Sequence, residues 1–164
     1  MIREIRKINL IKIKKLNTND INTDLQWFSK SLGLFNERDK ESSCFRVFVE
    51  LIKASRKNRL LSSDELAFKS NLSRATVIHH LKRLIELGLI ITDNNKYSLR
   101  TSNLEELILE IGKDTLRILE DLKSVANELD QELGLKKNTK MNKTILDWKN
   151  LNTYKYFSYY ERRG

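Results

Sequence analysis

The segment SRATVIHHLKR, residues 73–83, concentrates the side chains most able to do chemistry. Thr76, His79, His80 and Arg83 fall at i, i+3, i+4 and i+7, a spacing that gathers side chains on one helical face. Ser73 and Arg74 stand at its start. A guanidinium donates in a fork that fits a phosphate or a guanine edge. The open N–H groups of a first helical turn near Ser73 and Arg74 also suit a phosphate. The chemistry on offer is recognition of a polyanion.

Other chemistries fit worse. His79 and His80 are adjacent, so on a helix they diverge by about 100° and cannot chelate one ion together. The single cysteine, Cys44, forms no disulfide within the chain and reads as core or as a dimer contact. No glycine-rich phosphate loop, G-x-S-x-G, H-E-x-x-H or C-x-x-C occurs. The acidic residues of 101–135 spread around a helix rather than pairing as acid and base. No catalytic residue, metal ligand or cofactor is expected.

These side chains need elements to hold them. CFRVFVELIKA, from Cys44, reads as a buried helix. Ser62 or Ser63 caps a short helix through DELAFKS, which has acidic residues in its first turn. Asn71 stands where a tight turn between helices needs positive φ. Ser73 caps the next helix, whose core face is read as Val77, Leu81, Leu84 and Ile85, and Gly88 ends it. LIIT, then DNN, then KYSLR read as strand, turn and strand. Asn94, Asn95, Lys96 and Arg100 are the polar residues of this hairpin, whereas Tyr97 reads as hairpin packing. Lys53, Lys69 and Lys82 read as solvated surface.

Helix, short helix, turn, longer helix and hairpin is the winged helix-turn-helix order. The stretch ELAFKSNLSRATVIHHLKRLIELGLI resembles the winged-helix regulators of bacteria and archaea. The ArsR type is nearest, and the MarR and GntR types are more distant. The resemblance is carried by Leu66-Ala67, Leu72-Ser73, Thr76-Val77, His79-His80-Leu81, Leu84 and Gly88-Leu89-Ile90. It implies that residues 74–87 enter the major groove of duplex DNA, with Ser73, Arg74, Thr76, His79, His80 and Arg83 as contacts there and Asn94, Asn95, Lys96 and Arg100 of the wing as contacts to the backbone or minor groove. ArsR-type metal sensors commonly carry paired cysteines near this helix, and this chain has none there, which disfavours metal sensing.

Charge follows the same plan. Residues 44–100 are net +6 and residues 101–135 net −6, within a chain of net +9 and 164 residues. A DNA-facing part followed by a helix kept off DNA accounts for that alternation. Beyond Thr101-Ser102-Asn103, which offers a cap, apolar residues recur in alternating steps of four and three. Leu104, Ile108, Ile111, Ile118, Leu122, Val125 and Leu129 are the expected dimerisation positions. Leu107, Leu119 and Leu133 widen the stripe, so the helix is also expected to pack on its own domain.

Four regions result. Residues 1–43 are a basic extension with a short helix, DLQWFSKSLGL, with Asp24 as candidate N-cap and Gly33 as its stop. For residues 1–16, periodicity does not separate a helix from a strand. Residues 44–100 form the winged domain and 101–135 the long helix. Residues 136–164 are a basic, aromatic-rich tail, read as docked or disordered before nucleic-acid binding. The opening segment lacks the unbroken apolar core of a secretory signal, and no apolar run spans a membrane. The expectation is a cytoplasmic, mainly α protein with a small β-hairpin wing, acting as a homodimer on double-stranded DNA. The rival reading is a winged-helix module binding protein or RNA within a larger transcription or chromatin assembly.

Overall fold

A computed structural model describes residues 8–14, 20–34 and 42–135. The elements run α1 (Ile21–Ser31), α2 (Ser43–Ser55), β1 (Leu61–Ser62), α3 (Ser63–Ser70), α4 (Arg74–Glu86), β2 (Ile90–Asp93), β3 (Lys96–Leu99) and α5 (Leu104–Glu132). The chain divides into two compact units, residues 1–117 and 118–164. The expectations for the 136–164 tail and for residues 1–7 lie outside the described residues.

Helix ends follow their capping chemistry. The Asp20 carboxylate accepts from the Asn22 N–H at 3.3 Å and the Thr23 N–H at 2.9 Å, so α1 begins there. This corrects the expectation of Asp24, which lies inside the first turn as a favourable acidic group instead. The Thr23 hydroxyl bond, with the two backbone bonds, holds the Asp20 carboxyl below its usual range. Gly33 ends α1 at φ 67°, with its N–H on Lys30 O and the Leu34 N–H on Ser29 O.

Around α3 the chain is punctuated tightly. Ser62 Oγ accepts from Glu65 N–H at 3.2 Å while the Glu65 carboxylate accepts from Ser62 N–H at 2.9 Å, a reciprocal capping box. Arg59 donates to the same carboxylate. The backbone bond from Ser62, with this cation, keeps the Glu65 carboxyl below its ordinary value. Asn71 takes φ 49° and turns the chain into α4. Its side chain bears the left-handed geometry that most residues resist.

The sheet order is β1-β3-β2, all antiparallel. The hairpin was anticipated, but β1 was not: two residues carry too little pattern to announce a strand. The register Asp93↔Lys96 leaves Asn94 and Asn95 as a two-residue turn, at φ 48° and 59°. Positive φ at both positions gives the turn whose twist matches the strands.

The core lies among α2, α3, α4, the sheet and the start of α5. Cys44, Val47, Phe48, Leu51 and Ala54 face inward along α2. They meet Leu61, Leu66, Val77, Leu81, Leu84, Leu89, Leu99, Leu107 and Ile111. Each fully buried large side chain contributes about 1.5–3 kcal/mol, which holds α3 and α4 at fixed angles. Cys44 is therefore a core residue.

Asn103 caps α5 by accepting from the Glu106 N–H at 2.9 Å. Along this helix Leu107 and Ile111 are buried and Leu104 is partly buried against the core. Ile111 and Leu104, expected at a dimer seam, thus serve their own domain. Ile108, Ile118, Leu122, Val125 and Leu129 remain exposed. Among the described residues no helix is long and apolar enough to cross a membrane.

Candidate nucleic-acid interface

Helix α4 carries the candidate site. Its N-cap Ser73 Oγ accepts from the Thr76 N–H at 3.1 Å and lies 2.8 Å from the Thr76 hydroxyl. Val77, His80, Leu81 and Leu84 are its buried residues. Their spacing is i, i+3, i+4 and i+7, one continuous stripe, so packing fixes the rotation of the helix.

That rotation revises the expected face. His80 is only 7% exposed and belongs to the core stripe, between Val77 and Leu84. Its ring meets His79 edge-on, with centroids 5.4 Å apart. Arg83 is turned partly inward, and its guanidinium donates to the Gly33 carbonyl at 2.6 Å. Ile85, expected in the core, is 38% exposed instead. The outward stripe is Ala75, His79, Lys82 and Glu86, all exposed at i, i+4, i+7 and i+11. Lys82, read from sequence as solvated surface, stands beside His79 on that stripe.

At the start of the helix, Arg74 is exposed and pairs with Asp64 of α3 at 3.1 Å, with a further bond to Ser63 Oγ at 3.3 Å. An exposed pair of this kind is worth only about 0–1 kcal/mol. A phosphate therefore competes for Arg74 at little cost. Thr76 is half-buried beside the cap.

The sequence from α2 to β2 has a counterpart among known families. Residues 49–92 match the family model described as the bacterial regulatory protein, arsR family. That stretch is similar to the ArsR-type winged helix-turn-helix domain. Among curated proteins, none matches the chain. The ArsR-type domain is a DNA-binding domain of transcription regulation, and α4 is the second helix of its motif.

In this ArsR-type domain the wing tip presents Asn94, Asn95 and Lys96 to solvent. Arg100 is not part of that tip. It binds Asp114 at 2.5 Å and Glu110 at 3.2 Å, both on α5, with its side chain only 18% exposed. The bond to Asp114 holds the guanidinium above its ordinary value. Arg100 is thus a brace between the foot of the wing and α5, away from the wing tip where it was expected. Its position one residue past the last strand was the available clue, because the foot of a hairpin faces the core rather than the tip. Tyr97 is partly buried against the core. Lys53 is paired with Glu50 at 2.7 Å.

Proposed function

We propose that the chain is a homodimeric transcriptional regulator that reads a specific sequence of double-stranded DNA. The outward stripe of α4 carries this reading. His79 and Lys82 sit centrally there, Ser73, Arg74 and Thr76 at the leading end, with core packing setting the rotation of the helix. His79 donates or accepts at base edges, and Lys82 and Arg74 meet phosphate or guanine. Asn94, Asn95 and Lys96 extend the contact from the wing. A good bidentate pairing discriminates by about 1–3 kcal/mol per base. The charge of residues 44–100, net +6, supports the phosphate contribution.

Dimerisation is assigned to the part of α5 beyond the domain core. Ile118, Leu122, Val125 and Leu129 repeat at steps of four and three, and each is between 37% and 59% exposed in the single chain. A regular apolar seam of this length is covered by a second copy of itself. Two recognition helices then meet two half-sites.

The test is fluorescence anisotropy of the full chain against a pool of duplexes across a salt series. The expected outcome is a selected duplex bound about a thousandfold or more tighter than a scrambled one, with affinity falling steeply as salt rises. Equal affinity for every duplex would reject the reading.

A further inference from the structure

Arg83 turns away from the outward stripe of α4, and what it holds is unusually well fixed. Its Nη2 donates at 2.6 Å to the carbonyl of Gly33, a residue 50 positions earlier. Gly33 is the left-handed corner that closes α1, and Leu34 just after it is fully buried. Both hydrogen bonds of the corner, Gly33 N–H to Lys30 O and Leu34 N–H to Ser29 O, are made. Residues 8–14, neither helix nor strand, form a strap beside this corner. The Ile11 N–H donates to Ser31 O at 2.8 Å, and Trp27 Nε1 donates to Ile13 O at 3.2 Å. Ile8 packs against the core. The Asn9 side chain sits so close to Gly33 that an added Cβ would come within 2.8 Å of its Cγ.

We propose that Arg83 is a positioning residue, and that strap and α1 together set how α4 is presented to DNA. A charged donor on a carbonyl that cannot yield makes a stiff strut. The hydrophobic stripe of α4 fixes its rotation, and the strut at Arg83 ties its C-terminal half to the α1 corner. Sequence discrimination depends on that geometry, while bulk phosphate attraction does not. This inference rests on the DNA reading of α4 given above.

The test compares wild type, Arg83→Met, Arg83→Lys and Gly33→Ala on the selected and the scrambled duplex across salt. Arg83→Met is expected to weaken the selected duplex about tenfold and to leave both the scrambled duplex and the salt slope unchanged. A phosphate contact would instead lower the slope by about one. Gly33→Ala removes no charge, yet it is expected to lose selectivity too, because its methyl displaces Asn9 and the left-handed φ is strained. Arg83→Lys, which keeps one donor, is expected to recover part of the loss. An independent readout needs no destabilised variant: the nitrogen-15 guanidinium resonance of Arg83 in wild type, assigned with Arg83→Lys, should stay in place when DNA is added. A shifted resonance, a reduced slope in Arg83→Met and wild-type binding by Gly33→Ala would together overturn the proposal. A wild-type chain that selects no duplex would sink the DNA reading itself, and the proposal with it.

Discussion

Two neighbouring histidines do different work. His79 stands on the outward stripe of α4, whereas His80 is 7% exposed and lies among Val77, Leu81 and Leu84. Substitution should separate them. His79→Ala and Lys82→Ala are expected to weaken binding to the selected duplex while the thermal midpoint stays within error. Lys82→Ala should also lower the salt slope by about one if it meets a phosphate. His80→Ala is expected to cost about 1–3 kcal/mol of stability, measured by urea unfolding. Equal stability of the two histidine variants would contradict this rotation of α4. The sequence did contain the clue. His80 lies three residues after Val77 and four before Leu84, on the same stripe as Leu81, which lies four after and three before. Its polarity suggests an outward face, its spacing an inward one, and the structure follows the spacing. The place of Lys82 on the outward stripe follows from the same packing: a lone lysine looks like any solvated surface until the core stripe opposite it is known.

At the level of elements, punctuation was the most legible signal. Ser62, Asn71, Ser73, Gly88 and the Asn94-Asn95 turn have few competing roles, so each marked its boundary. Strand β1 was illegible because its two residues exist as a strand only through pairing with Lys96 and Tyr97, a long-range partner. The pairing of Arg100 was not legible because its partners, Asp114 and Glu110, lie on another element, which no local pattern announces. Helix α5 shows both a success and a limit. Its repeat was visible, but the repeat continues unchanged from residues buried in the domain to residues left exposed. The two sections should respond differently to mutation. Ile111→Ala is expected to destabilise the domain by about 2–5 kcal/mol, as read by urea unfolding. The pair Leu122→Lys with Leu129→Lys is expected to leave the domain folded and to halve the mass seen by light scattering. A monomeric mass in wild type, or an unchanged mass in the double variant, would remove this seam from the account.

For the whole molecule, charge and packing point the same way. The domain that carries α4 is the basic section of the chain, and the section bearing the exposed seam is acidic, net −6 over residues 101–135. On the proposed reading, phosphates attract the first and repel the second, which leaves the seam to a second copy. That arrangement makes the central claim a statement about symmetry as well as affinity. The most direct measurement is hydroxyl-radical footprinting of the full chain on its selected duplex. Two protected patches are predicted, related by a two-fold and centred about 10 base pairs apart or a multiple of it. They should shrink to one on the Leu122→Lys, Leu129→Lys background. Protection spread evenly along the duplex, without paired patches, would contradict the account.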